Sequence, residues 1–362
     1  MPLDTVSIAL ISRGTKARLA TALRTIHSLL VWSKAPERLK FHILADEAVL
    51  SELQRTSLAE HTRRARVANW SMSQFLNVVN ATDAALERRL SSGARDWLHH
   101  AKLQDKAHTY TAPKLFLYEI LPRHVSRVLV LDSDLYPMAD VSELWDAFDA
   151  TAAAQHSVVL GCAYEGQSAY RMMWLDALSG PEASGYNGGV CLHLLDRMRT
   201  SRAYHELLSK LAVLMRLETP GKFDAKMLAR MVDMGDQTAL SLAPGVEPDV
   251  WKALFSPLPC EWNWQVCVDW YATAKDLHRL WSFKNRALRA NRYDSSCQQP
   301  PKLLHFNGGS QWKDGFQRLD LITRGASALS RNVAAVERAL AASRAVCDGA
   351  QRSQLSPLRP QL

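Results

Sequence analysis

Arg127-Val-Leu-Val-Leu-Asp-Ser-Asp-Leu-Tyr-Pro137 is the stretch from which the rest of the chain can be read. Val128 to Leu131 is an unbroken apolar run, which predicts a strand buried on both faces, as strands of parallel sheets are. The run ends at Asp132-Ser133-Asp134. In open α/β sheets the ligand crevice lies beyond the carboxyl ends of the strands. Two carboxylates two residues apart on an extended chain point to the same side. Such a pair suits a hard divalent cation held through oxygen, with a phosphate completing the shell. Two other readings share the pattern. One is a strand-to-turn junction with two solvated carboxylates. The other is a phosphatase working through an aspartyl-phosphate, although that group usually begins near its motif and carries Thr or Val where this chain has Tyr136.

The chain has 362 residues, enough for one large α/β domain or two ordinary ones. A hydrophobic fraction of 47% with 11 Trp describes a globular body, and 22% charged residues argue against disorder. The net charge of +8 is scattered, with clusters at Arg63-Arg64-Ala65-Arg66 and between Arg279 and Arg292. No nucleic-acid motif accompanies these clusters, so no nucleic-acid partner is expected. No apolar run is long enough to span a membrane, and a strand-like run begins at Val6 with no signal-peptide pattern before it. The six Cys fit neither a disulfide scaffold nor a zinc site. Cys162 and Cys191 are expected as buried free thiols, whereas the clustering of Cys260, Cys267 and Cys297 leaves a disulfide open there.

Outward from the central stretch, strands and helices alternate. Val6–Ile11 and Phe41–Ala45 read as strands, and Ala65–Trp70 as a third. A helix over Lys16–Val31 and another ending about Ala59 separate them, which predicts βαβ units and a parallel sheet. No G-x-G-x-x-G or Walker A motif is present. Residues 71–110 read as polar and irregular, with Ser91-Ser92-Gly93 as a loop. Thr111–Leu121 reads as a helix carrying Lys114, and Asp140–Phe148 as a helix capped by Asp140. Val158–Ala163 and Tyr186–His193 read as strands, with a loop-like Tyr164–Ser184 between them. Asn187-Gly188-Gly189 enters the second of these, where glycines admit close backbone approach. Asp196–Leu217 reads as a helix. Gly235-Asp236-Gln237 opens a further helix whose N-terminus favours an oxygen-rich ligand. Pro257–Trp264 reads as a rigid wall or a structural Trp cluster, and Lys302–Gly309 as a late strand containing His305. A helix over Val333–Val346 and a disordered tail from Arg352 close the chain.

In order, Val6–Ile11, Lys114, Asp132-x-Asp134, Asn187-Gly-Gly-Val, Gly235-Asp-Gln, Leu258-Pro-Cys-Glu-Trp-Asn263 and His305-Phe-Asn make a pattern. It resembles glycosyltransferase family eight, the glycogenin-like retaining transferases of the GT-A fold, over about residues 6–325. Within that family it looks most like the glucoside xylosyltransferases and the xylosyltransferase domain of the enzymes that build matriglycan. The resemblance implies an α/β fold: a Rossmann-like, mostly parallel central sheet flanked by helices, with acceptor-side insertions in the C-terminal half. It implies one domain over 1–330, with a nucleotide half to about 150 and an acceptor half over about 151–325, then a helix over 331–351 and a tail over 352–362.

The resemblance also implies roles. Asp132, Asp134 and His305 would bind Mn2+, with Mg2+ as the other candidate; one imidazole among oxygens suits Mn2+. A UDP-sugar would be the donor and a glycan or glycoprotein the acceptor. Ala9, Leu10, Ile11 and Arg13 would hold the nucleotide, with Lys114, Ser133, Gly308 and Lys313 near the diphosphate and Gly188 and Gly189 along the sugar. Asn187, Asp236 and Gln237 would be the catalytic group. Xylose is the first choice of sugar, ahead of glucose and galactose. No carboxylate nucleophile is evident besides Asp236, so attack from the face of the leaving group is expected, with Asp236 as a positioner. The chain departs from the family at Gly188, where Ser is common, at Gln311, where Lys is common, and at Thr238-Ala239. The alternative of the same fold is a non-catalytic UDP-sugar or glycan-binding module. The Golgi lumen would be the compartment if an N-terminal anchor is missing from this sequence.

Overall fold

The computed structural model describes residues 4–12, 16–55, 75–104, 111–165, 185–216, 236–265 and 301–305. The chain opens with β1 (Val6–Ser12), α1 (Lys16–Trp32), β2 (Leu39–Ala45) and α2 (Glu47–Arg55), the alternation that the apolar runs predict. β1 lies parallel to β2 along its full length. In α1, residues Leu19, Ala22, Ile26, Leu29 and Leu30 recur at helical spacing and are all buried.

The following stretch differs from the sequence reading. Ala65–Trp70 lies outside the described residues, and the strand beside β2 is β3 (Leu76–Asn80). Helices α3 (Asp83–Arg89) and α4 (Ser92–Gln104) come next, so residues 71–110 are not simply irregular and Ser92-Gly93 begins a helix. Asn77 and Asn80 interrupt the apolar pattern of β3 and hide it. Thr82 caps α3 by accepting from the Ala85 amide at 3.2 Å. Thr111–Leu121 is likewise not one helix. A 3-10 turn over Ala112–Phe116 leads into the short α5 (Leu117–Ile120).

β4 (Val128–Leu131) is the predicted central strand, and all four residues are fully buried. Their side chains alternate. Val128 and Val130 pack into a core with Phe116 and Leu195, and Leu129 and Leu131 into one with Ile26 and Trp145. Each such side chain contributes about 1.5–3 kcal/mol on burial. After β5 (Leu135–Pro137) comes α6 (Ser142–Ala154), longer than expected. Asp140 still braces its start, accepting from the Ser142 amide at 3.0 Å and the Lys34 amide at 2.6 Å.

The remainder is β6 (Leu160–Tyr164), β7 (Tyr186–His193), α7 (Leu195–Thr200), α8 (Arg202–Arg216), α9 (Asp236–Val246), α10 (Pro248–Leu254), β8 (Trp264–Gln265) and β9 (Leu303–His305). The helix expected over Asp196–Leu217 is thus broken at Ser201 into α7 and α8. A 3-10 turn, Cys260–Asn263, precedes β8. Among the described residues the main sheet has the order β3-β2-β1-β4-β7-β6, and a small sheet has the order β5-β9-β8. Only β7 runs against its neighbours in the main sheet. The mostly parallel α/β architecture is therefore as expected. The C-terminal helix and tail fall outside the described residues. No described helix is long and apolar enough to cross a membrane.

Cys162 and Cys191 are a correction: they form a disulfide rather than free thiols. They stand directly opposite each other in the antiparallel β6–β7 pair, with Cα atoms 4.2 Å apart. Cys260 is also disulfide-bonded.

Two buried histidines tie this fold to pH. Burial, with Lys40 and His124 adding to it, lowers His42 to about 4, and burial with Lys114 lowers His193 to about 3. Both are neutral in the fold at pH 7, whereas the unfolded chain takes up protons near 6.5. Stability is therefore full above pH 6.5 and is lost as pH falls toward 4 and 3, with a slope of about 1.4 kcal/mol per pH unit for each histidine. Urea midpoints should fall between pH 7 and pH 5, and His193→Gln should flatten that fall. An unchanged slope in the variant would contradict the assignment.

Candidate active site

The site forms where β4 runs out. The Asp132 amide donates to the Gly189 carbonyl at 2.8 Å, which carries the β4–β7 pairing one residue beyond the strand. Thr25 of α1 is fully buried and donates its hydroxyl to the Ser133 carbonyl at 2.6 Å and the Leu135 carbonyl at 3.2 Å. The Asp132–Asp134 turn is thereby fixed from both sides. β5 then pairs antiparallel with β9, with Leu135 opposite His305.

This pairing gathers the three expected metal ligands. One ligand atom from each of Asp132, Asp134 and His305 lies within 4.8 Å of the others. His305 Nε2 is 3.6 Å from Asp132 Oδ2 and 3.5 Å from Asp134 Oδ1. The carboxylates are about one-third exposed, whereas the imidazole is buried. Burial alone would lower the His305 pKa, but Asp134, then Asp132 and Glu165, outweigh it and raise the pKa. The same field favours any cation at Nε2, a proton or a metal ion. Two carboxylates and one imidazole, open on one side, fit a divalent metal of the Mn2+ type.

Lys114 is only 4% exposed. Its Nζ donates to Asp132 Oδ1 at 2.7 Å and to the Gly188 carbonyl at 2.9 Å, and lies 3.4 Å from Asp236 Oδ2. Burial opposes its charge, but Asp132 and Asp236 outweigh burial and hold the ammonium firmly protonated. Asp236 opens α9 and is itself buried. Burial raises its pKa against the pull of Lys114, and the Asp132 charge raises it further.

Both glycines of the Asn187-Gly-Gly motif are closely approached by side chains of the site. A Cβ on Gly188 would meet Asp236 Oδ2 at 2.3 Å. One on Gly189 would meet His305 Cε1 at 2.2 Å and Asn187 Oδ1 at 2.9 Å. Asn187 accepts at Oδ1 from the Gly189 amide and from Asn263 Nδ2, both at 2.9 Å. It donates from Nδ2 to Glu165 Oε2 at 3.2 Å. Gln237 Nε2 donates to the same Glu165 oxygen. Asn263 Oδ1 is 2.9 Å from His305 Nδ1.

The structure thus brings together Lys114, Asp132, Asp134, Asn187, Gly188, Gly189, Asp236, Gln237 and His305. Ala9 and Leu10 have side chains sealed in the cores, Ile11 is partly buried against one of them, and Ser12 is fully buried. Ser133 is held through its carbonyl. Arg13, Gly308 and Lys313 lie outside the described residues. Three residues were missed or underread. Glu165, 1% exposed, is a second buried carboxylate where none besides Asp236 was evident. It directly follows β6, so the rule that singled out Asp132 at a strand's carboxyl end also marks it. Asn263 was read only as part of a wall. Thr25 has no local signal, because its partners are more than 100 residues away.

Comparison with known proteins identifies the family and the fold. The profile of glycosyl transferase family 8 matches residues 9–314. Xyloside xylosyltransferase 1 of Mus musculus is 29% identical over 178 residues, 45% of this chain and 42% of the relative. Xylosyl- and glucuronyltransferase LARGE1 of Homo sapiens is 29% identical over 203 residues, 54% of this chain and 23% of the relative. The matched region is therefore less than half of each curated relative. Among solved structures, apo mouse xyloside xylosyltransferase 1 superposes with a TM-score of 0.54 at 22% identity, covering 83% of this chain and 98% of that one. The galactosyltransferase LgtC, in complex with donor and acceptor sugar analogs, gives a TM-score of 0.50 at 13% identity and 98% coverage of both chains. At these identities the structures establish the fold alone, GT-A. The family profile spans most of the chain, and the chain belongs to glycosyl transferase family 8.

Proposed function

We propose that this protein is a Mn2+-dependent retaining transferase that moves a sugar, xylose first among the candidates, from a UDP-sugar to a hydroxyl of a glycan or glycoprotein. One observation carries the reading. The three-ligand cluster of Asp132, Asp134 and His305 shares Asp132 with a buried lysine that also touches Asp236. A cation site, a fixed positive charge and a buried acid therefore converge at one strand end. Xylose is supported by the names of the relatives, a xylosyltransferase and a xylosyl- and glucuronyltransferase, since it is the sugar the two names share.

Asp132, Asp134 and His305 would hold the metal, which supplies Lewis acidity toward the diphosphate when bound. Lys114 adds a permanent charge beside it, and burial strengthens that charge in its effect on a departing anion. The bond from the anomeric carbon to the diphosphate oxygen breaks. A bond from that carbon to the acceptor hydroxyl oxygen forms on the same face, and the hydroxyl proton passes to the departing phosphate oxygen. Asp236 opposes the positive charge that develops on the sugar, and Gln237 orients its hydroxyls. Glu165 accepts two amide hydrogen bonds through one oxygen, which fits a positioning role better than nucleophilic attack. The Cys162–Cys191 disulfide fits folding in an oxidising compartment, as a Golgi lumenal enzyme would require.

The test is UDP release from UDP-xylose, UDP-glucose and UDP-galactose with Mn2+, with and without glycoside acceptors. One donor should turn over, turnover should stop with EDTA, and Asp134→Asn should lower it roughly 100-fold. Metal-dependent UDP binding without turnover of any donor would replace the transferase reading with a binding module. A folded protein that neither binds UDP nor turns over any UDP-sugar would sink both.

Gly188 provides a second check. Ser, common in the family at this place, would put a Cβ 2.3 Å from Asp236 Oδ2 and force the carboxylate away from Lys114. Gly188→Ser should lower kcat by about tenfold, equivalent to about 1.4 kcal/mol, with Mn2+ affinity unchanged. Unaltered kcat would mean that the contact between Asp236 and Lys114 is dispensable.

A further inference from the structure

A continuous line of buried amides runs from His305 to Glu165 and on to Gln237, and its direction is determined. Backbone N–H groups only donate, so the Gly189 amide at 2.9 Å identifies Oδ1 of Asn187 as its acceptor side. Asn187 Nδ2 must then face Glu165, where it donates at 3.2 Å. The second group at Asn187 Oδ1 must be a donor, which makes it Asn263 Nδ2 at 2.9 Å. Asn263 therefore turns Oδ1 toward His305 Nδ1, also 2.9 Å away. An amide oxygen can only accept, so Nδ1 carries the proton. In the neutral imidazole Nε2 is then left as the lone pair, and it is Nε2 that faces Asp132 and Asp134.

We propose that Glu165, Asn187 and Asn263 form a directional relay that fixes the Nδ1–H form of His305, aims Nε2 at the cation, and ties that choice to Gln237. The relay ends at a carboxylate oxygen that accepts from Asn187 and from Gln237. One oxygen thus orients two amides, one leading to the metal site and the other lying beside Asp236 in the first turn of α9. Glu165, Asn187, Asn263 and His305 are 1–3% exposed, so water competes little for these bonds. Glu165 and Asn263 are positioning residues: they act through His305 and Gln237. The arrangement follows the general rule that the second nitrogen of a metal-binding histidine donates to a fixed acceptor. Here the acceptor is a neutral amide, and its own orientation is set two hydrogen bonds away, at Glu165.

This inference deepens the proposed function and rests on the same metal site, so its test reads metal binding and imidazole chemistry before turnover. The metal-free full chain, labelled with 15N-histidine, is examined by NMR at a pH where the imidazole is neutral. The His305 signal is assigned by its loss in His305→Asn. The wild type should show the Nδ1–H tautomer, and Asn263→Leu should lose it. Binding of Mn2+ alone, followed by EPR of the free ion, should weaken about 10–100-fold in Asn263→Leu. Glu165→Gln should weaken it roughly fivefold, as a charge-assisted bond gives way to a neutral one. With donor present, Glu165→Gln should lower kcat more than it raises KM. The Nε2–H tautomer in the wild type would overturn the relay, and needs no variant to fold. Wild-type Mn2+ affinity in Asn263→Leu or Glu165→Gln with an unchanged melting temperature would overturn it as well. Wild-type Mn2+ binding and the Nδ1–H form without turnover of any UDP-sugar would uphold the relay and reject the transferase reading. Turnover with an undisturbed tautomer in Asn263→Leu would do the reverse.

Discussion

The backbone hydrogen bond from Asp132 to Gly189 is the constraint on which the site depends. It is where the pairing of β4 with β7 ends. Its position determines what stands beside what: Asp132 beside Gly189, the Gly188 carbonyl beside Lys114, and Asn187 one step further back. A register slip of one residue would turn every side chain of β4 to the opposite face. That slip is resisted because Val128 and Val130 fill one core while Leu129 and Leu131 fill the other. The apolar residues of the strand thus hold the carboxylates in place.

Charge is the second organising element. Asp132 and Asp236 are both anions at Lys114, and Asp132 and Asp134 are both anions at His305. Asp132 belongs to both groups. A metal ion would not arrive in an electrostatically neutral pocket. It would share Asp132 with an ammonium already in contact with that carboxylate. Lys114 keeps Asp132 oriented through Oδ1, while Oδ2 is the oxygen nearer His305. The buried lysine therefore presets one ligand, at the cost of lowering its charge toward the metal. Such preorganisation trades raw affinity for geometry, and geometry is what a transferring sugar needs.

Much of this was legible in the sequence, and the failures have physical causes. Val128–Asp134 was readable because a doubly buried strand leaves an unbroken apolar run, and a polar end to that run marks the crevice. Asn187, Asp236-Gln237 and His305 were readable only by their order along the chain, since each alone is common. β3 was not, because its polar positions disguise a strand whose partner supplies the burial. The Cys162–Cys191 bond was hidden because the two residues are 29 apart and become neighbours only through the β6–β7 register. Glu165 was lost inside a segment read as a loop, although it stands at the end of β6 as Asp132 stands at the end of β4.

The two carboxylates of the Asp-Ser-Asp turn adjoin different sheets, which gives the turn a mechanical meaning. Asp132 ends the main sheet through its bond to Gly189, whereas Asp134 leads into β5 and the small sheet that contains His305. Asn263 directly precedes β8 of that small sheet, and Asn187 lies on β7 of the main one, so their hydrogen bond also crosses the joint. Thr25 holds the turn between them from α1. A cation bound by Asp132, Asp134 and His305 would close this joint with ligands from both sides. Because it binds only the assembled arrangement, its binding energy would count toward keeping the sheets together. The same joint carries the amide line toward Glu165 and Gln237. The Asp132, Asp134 and His305 cluster, the sheet junction and the amide line to Gln237 are therefore parts of one hydrogen-bonded structure rather than three adjacent features.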